Sequence, residues 1–176
     1  VVVDTLRIER ILPTVRALSK RGAKVVLLSH LGRPKGKTVP DLSLRAVVAS
    51  IEEALNQRIA FSEDCVGNAA ASVIAKLECG KVALMENLRL HSGEESNDEN
   101  FVAALADLGD IYVNDACSCT HREHASIEGL AKKLPSAAGI VLRNELEMLK
   151  KMLENPARPV FAIVGGAKIS TKLDII

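Results

Sequence analysis

Short apolar runs alternate with amphipathic stretches along this chain, and that alternation leaves few folds open to it. RIERILPTVRALSKRG (7–22) spaces its apolar residues as a helix does and meets a stop signal at Gly22. AKVVLLSH (23–30) is a short apolar run of the kind that forms a strand covered on both faces. DLSLRAVVASIEEALNQ (41–57) predicts a second helix with Asp41 as its N-cap. IAF (59–61) reads as a short strand, and a third helix follows over 68–77. KVALMEN (81–87) predicts a strand, Ser96-x-x-Glu99 a capping box that opens a helix over 97–108, and DIYVND (110–115) the next strand. Ser126 is expected to cap a short helix, 127–133. The segment 139–154 predicts a long helix with Leu142, Leu146, Leu149 and Leu153 in one stripe. Asn155-Pro156 ends it, PVFAIVG (159–165) opens a new strand, and a further helix starts near Ser170. Strands alternating with helices give an α/β fold around a doubly wound parallel sheet, Rossmann-like and three-layered.

Composition narrows the function classes. The 176 residues carry 23 Lys and Arg against 22 Asp and Glu, so no global field draws the chain to nucleic acid or to a membrane surface. Three Phe, one Tyr and no Trp supply few stacking platforms for single-stranded nucleic acid. No run has the length of a transmembrane helix, and no signal peptide is recognised, so a cytoplasmic protein with reduced thiols is expected. The new strand after 139–154 belongs to a domain that opens and then stops, which reads as a fragment.

Ligands of open parallel sheets bind beyond the carboxyl ends of the strands. His30-Leu31-Gly32-Arg33-Pro34 follows the first strand, Asn87-Leu88-Arg89-Leu90-His91 the strand at 81–86, and Asn114-Asp115, then His121-Arg122-Glu123-His124, the strand at 110–113. Each loop carries an Arg and at least one His at one end of the sheet. Such a cluster of cations predicts an anion site, because guanidinium forks match phosphate or carboxylate oxygens. Each Arg could instead pair with a surface carboxylate.

Three other patterns have the residue types of a binding site. Gly32-Arg-Pro-Lys-Gly36-Lys37-Thr38 ends like a P-loop, but three residues separate its glycines where that loop needs four, and Val39-Pro40 delays the helix. Gly165-Gly166-Ala167-Lys168-Ile169-Ser170-Thr171-Lys172 follows a strand and opens a helix with two lysines four apart, which suits a nucleotide's phosphates; alone it could equally be a tight turn with solvated lysines. Cys117-x-Cys119 and His121-x-x-His124 have zinc-ligand chemistry, yet only Thr120 separates the two pairs, an arm too short to wrap a metal easily. The expectation is that this chain binds no metal of its own and that the two histidines meet an anion or the backbone.

Taken together the loops resemble those of the phosphoglycerate kinase family. The motifs are SHLGRP (29–34), ENLR followed by HSGEE (86–95), YVNDA followed by HREHAS (112–126), LPSAAG (134–139) and GGAKISTK (165–172), in the family's order across almost all of the chain. The resemblance implies two doubly wound domains joined by a helix, with residues 1–138 as most of the acceptor domain, 139–156 as the interdomain helix and 157–176 as the start of the nucleotide domain. It implies reversible phosphoryl transfer between ATP and the carboxylate of 3-phosphoglycerate, giving ADP and 1,3-bisphosphoglycerate, with Mg2+ carried by the nucleotide. It also implies a monomer.

By the same resemblance Arg7 would lie beside the transferring phosphoryl group, His30 and Arg33 would contact the acceptor, and Arg89 and Arg122 would join Arg33 on the acceptor's phosphate. Lys168 would stabilise the moving phosphoryl group, and Gly165, Gly166, Lys168 and Lys172 would hold the nucleotide. The chain departs from the pattern in places. The family's opening strand with its Arg-x-Asp-x-Asn motif is absent, Cys117 stands where an aromatic is usual, and Glu123 stands where a small residue is usual and is expected to face outward. The 176 residues alone are expected not to turn over. The alternatives are a non-enzymatic module that binds phosphometabolites and a small zinc module at Cys117–His124.

Overall fold

The computed structural model describes residues 5–154 and 156–161. The chain divides into two compact units, Val1–Asn144 and Glu145–Ile176. Within the first, helix α1 (Leu6–Lys20) leads to strand β1 (Val25–Leu27), α2 (Val48–Leu55), β2 (Ala60–Phe61), α3 (Gly67–Lys76) and β3 (Val82–Leu84). Then come α4 (Ser92–Ser96), α5 (Glu99–Ala106), β4 (Tyr112–Asn114), α6 (Leu130–Lys133), β5 (Ser136–Ala138) and α7 (Ile140–Glu154), which runs into the second unit. α1 stops as its sequence predicts: Gly22 takes φ +85°, and the N–H groups of Gly22 and Ala23 close back on the carbonyls of Ser19 and Leu18.

Among the described residues all strand pairing is parallel. One ladder has the order β1-β3-β2, with Val25 opposite Val82 and Ala60 opposite Ala83; the other pairs β4 with β5. β3 is central and wholly buried, and its side chains alternate between two cores as a pleated strand requires. Val82 packs with Val15 and Val25, and Leu84 with Leu44 and Ile51, beneath α1 and α2. Ala83 and Met85 point the other way, into the larger cluster of Ala70, Leu77, Phe101, Leu105 and Leu130 from α3, α5 and α6. Helices thus cover both faces of a parallel sheet, the expected three-layer α/β arrangement.

Several local expectations are corrected. Ser43, not Asp41, caps the segment before α2, because Pro40–Leu42 forms a separate 3-10 turn. The helix expected over 97–108 opens on Asp98, whose carboxylate accepts the Phe101 N–H at 2.9 Å. Asn97, at φ +53°, separates it from α4, so Ser96 belongs to the preceding helix. Ser126 caps nothing; its hydroxyl turns to Glu94 instead. β5 was not expected, since Ser136, Ala137 and Ala138 carry no alternating apolar pattern and all three are exposed. Of PVFAIVG only Pro159–Phe161 is described, without strand pairing; the rest, with the turn and helix after it, lies outside the described residues.

The start of α7 is anchored by long-range polar contacts. Thr14 donates to Asp115 at 2.6 Å and accepts the Ile140 N–H at 2.9 Å, while the Leu142 N–H donates to Asp115 at 3.0 Å. Gly139 is needed there because a Cβ would sit 2.3 Å from the Asp115 carboxylate. In the second unit Leu146, Leu149 and Leu153 of the predicted stripe are exposed. Among the described residues no helix is long and apolar enough to cross a membrane.

Candidate anion site at the strand ends

The loop after β3 is the hub. Glu86 is buried and accepts from the Ser43 hydroxyl and from the N–H groups of Leu44 and Asn87, at 2.5, 2.7 and 2.6 Å. Asn87 is fully buried and uses both ends of its amide. Its Oδ1 accepts from the N–H groups of Leu31 and Arg89 at 3.2 and 3.1 Å, and its Nδ2 donates to the carbonyls of Leu31 and Leu42 at 2.8 Å each. One side chain therefore fixes the His30–Arg33 loop to the turn that presents Arg89.

Arg89 is only 4% exposed. Its Nη1 donates to the Gly32 carbonyl at 2.8 Å. Its Nε lies 3.4 Å from Glu95, close enough for charge attraction but without hydrogen-bond geometry, so Nε and Nη2 are buried donors with no partner. An arginine held this way is unfavourable unless something else meets those donors. A ligand oxygen pair is what a guanidinium fork accepts.

Glu94, 1% exposed, supports the third loop. It accepts from the Ser126 N–H at 3.0 Å and hydroxyl at 2.6 Å, and approaches His124 Nδ1 to 3.6 Å. That ties the 122–126 loop to α4. His124 thus faces the buried Glu94 carboxylate. Glu123 is exposed, as expected.

The three loops lie close enough to act on one another electrostatically. His30 is pulled from 6.5 down to about 4, first by burial, then by the positive fields of Arg89, Arg122 and His124, with Glu95 opposing. His30 is therefore a neutral hydrogen-bonding group at physiological pH, a correction to counting it among the cations. Arg33 is exposed on the same loop as His30, and Arg7 is exposed in the first turn of α1; no described contact joins either to the cluster. Gly165, Gly166, Lys168 and Lys172 lie outside the described residues.

The His30 shift has a sign that can be tested. As pH falls below 6.5 the unfolded chain takes up a proton that the folded chain refuses until about pH 4, so the folded state loses stability across that window. Allowing for solvent screening of a half-buried ring, wild type should lose about 1–2 kcal/mol more than His30→Gln between pH 7 and 4.5. Equal losses in denaturant unfolding of the two proteins would contradict this account.

Sequence reasoning named Arg89 and Arg122 but missed their supports, Glu86, Asn87, Glu94 and Ser126. All four sit inside the motifs around those arginines. A polar residue within an otherwise apolar run, as at Glu86-Asn87, was the available signal.

The same loops carry the resemblance to known proteins. The model of the phosphoglycerate kinase family matches residues 1–176. The chain belongs to the phosphoglycerate kinase family. It is 60% identical over 175 residues to the phosphoglycerate kinase of Rhizobium meliloti and 55% identical to that of Methylorubrum extorquens. Each match covers 99% of this chain and 44% of the relative, so the chain spans less than half the length of those curated relatives. Among solved structures, the phosphoglycerate kinase of Pyrococcus horikoshii superposes with a TM-score of 0.87 at 31% identity, covering 99% of this chain and 44% of that one. That of Coxiella burnetii gives 0.84 at 36% identity, covering 98% and 43%.

Proposed function

We propose that the full-length protein is a phosphoglycerate kinase, moving a phosphoryl group reversibly between ATP and the carboxylate of 3-phosphoglycerate. The observation that carries this reading is Arg89, a buried guanidinium with two donors unmet, beside His30, whose protonation is disfavoured first by burial and then by the positive fields of Arg89 and Arg122. Arg33, Arg89 and Arg122 grip the acceptor's phosphate, and neutral His30 hydrogen-bonds the acceptor without adding charge. Arg7 offsets charge developing on the transferring phosphoryl group. Lys168 stabilises that group, and Gly165, Gly166 and Lys172 cradle the phosphates of ATP or ADP, which enters as its Mg2+ complex, a substrate. Positioning and charge neutralisation meet the demands of such a transfer without a protein nucleophile.

In this reading residues 1–138 bind the acceptor, 139–156 form the interdomain helix and 157–176 begin the nucleotide domain. The protein is a cytoplasmic monomer of glycolysis with no nucleic-acid or membrane partner. Calorimetric titration of the full-length protein with 3-phosphoglycerate tests it. Saturable binding, weakened at least tenfold in Arg122→Ala, is expected, together with turnover in a coupled assay. Absence of binding by the folded protein overturns the acceptor site, and binding without turnover makes the protein a phosphometabolite-binding module instead.

A further inference from the structure

Among the described residues one group of three potential metal ligands converges, and it is not the Cys117–His124 loop. Asp64 and Cys65 lie in the turn between β2 and α3, and His91 immediately precedes α4. One ligand atom from each falls within 4.8 Å of the others. Two separate segments thus bring a thiol, an imidazole and a carboxylate to one point, the mixed donor set that borderline divalent cations prefer and that hard Mg2+ does not.

The three groups are held in place by one another and by Phe101. Asp64 Oδ1 accepts the Cys65 N–H at 2.7 Å and pairs with His91 Nε2 at 2.7 Å, and the imidazole stacks on Phe101 with ring centroids 5.2 Å apart. Cys65 is 1% exposed and forms the floor, whereas the side chains of His91 and Asp64 are 34% and 43% exposed and form the rim. A cation arriving from solvent would meet the rim first, and a fourth, water-filled position would remain on the open side. The hydrogen bond between His91 and Asp64 is complete without a metal, and Cys65 also packs in the apolar cluster with Ala70, Leu77 and Phe101; the thiol adds to that packing a soft donor beside the imidazole and the carboxylate.

We propose that Asp64, Cys65 and His91 form a binding site for Zn2+ or a cation of similar softness, separate from the anion site. Binding replaces the S–H bond of Cys65 with a bond from the thiolate to the metal and releases one proton to the buffer. The metal clips the turn before α3 to the start of α4, the helix whose Glu94 holds the 122–126 loop.

The test uses the full-length protein with every cysteine except Cys65 replaced by serine, and Co2+ as a spectroscopic probe. A thiolate-to-cobalt charge-transfer band is expected, with one metal bound, displaced by Zn2+ and unaffected by Mg2+. Calorimetry in buffers of different ionisation enthalpy should show about one proton released per Zn2+. His91→Gln and Asp64→Asn should each weaken binding at least tenfold. Absence of the band in the folded single-cysteine protein, or a band of unchanged affinity in both variants, overturns the proposal.

Discussion

Replacing Arg89 by Met should abolish most acceptor binding while leaving the fold as stable as before, or more so. The guanidinium is buried, makes one hydrogen bond to the Gly32 carbonyl and leaves two donors unmet. Removing a buried charge whose attraction to Glu95 lacks a hydrogen bond relieves desolvation, the half-exposed Glu95 can turn to water, and Met fills comparable volume. The Gly32 carbonyl can turn to water, since Gly32 is exposed. In the complex the two free donors are the ones expected to meet ligand oxygens, so their loss should cost about 2–4 kcal/mol, roughly 30- to 1000-fold in affinity for 3-phosphoglycerate. Unfolding in denaturant should show no loss beyond about 1 kcal/mol. A variant that loses more stability than this but binds normally would mean Arg89 is a structural pin and not a ligand group.

Asn87→Ala should have the opposite profile, with its first effect on stability. Truncation strands the Leu31 and Arg89 N–H groups and the Leu31 and Leu42 carbonyls, all of which the amide now satisfies. Buried polar groups left unmet cost about 1–3 kcal/mol each, and partial access of water should reduce the sum to about 3 kcal/mol. Asn87→Asp separates shape from chemistry. It keeps the volume, but sets a carboxylate oxygen against two carbonyls, so it should be at least as damaging at pH 7. Its damage should shrink as the pH falls and the new acid regains a proton. Both variants should also weaken acceptor binding, because Asn87 fixes the His30–Arg33 loop. A stability change under 1 kcal/mol for Asn87→Ala would overturn this role.

Glu94 and Asn87 share a logic. Each holds a loop that carries an arginine proposed to meet the acceptor. Glu94 accepts two hydrogen bonds from Ser126, and Asn87 spans Leu31, Leu42 and Arg89. Flexible loops carrying like charges would splay apart, and buried polar braces at their bases oppose that.

Local pattern carried much of the reading. The helical spacing of 7–22, the apolar run at 81–87 and Gly22 as a stop needed only periodicity and backbone preference, and the structure agrees with them. The arginines after the first and third strands were legible because a parallel sheet turns its carboxyl ends toward one side. Where sequence reading failed, a non-local competitor had won. Ser126 looks like a cap, but Glu94 takes its hydroxyl from 32 positions away. β5 has no apolar alternation, and pairing with β4 alone makes it a strand.

The sequence by itself determined the α/β class and most of the helices and strands, because these follow from residue types at short range, and its motifs carried the resemblance to the family. The tertiary structure alone decided three things: that His30 is neutral, that Arg89 is buried with donors to spare, and that Asp64, Cys65 and His91 meet. Protonation depends on the solvent and charge around a group, and convergence on the path of the whole chain. Neither is encoded in spacing along it.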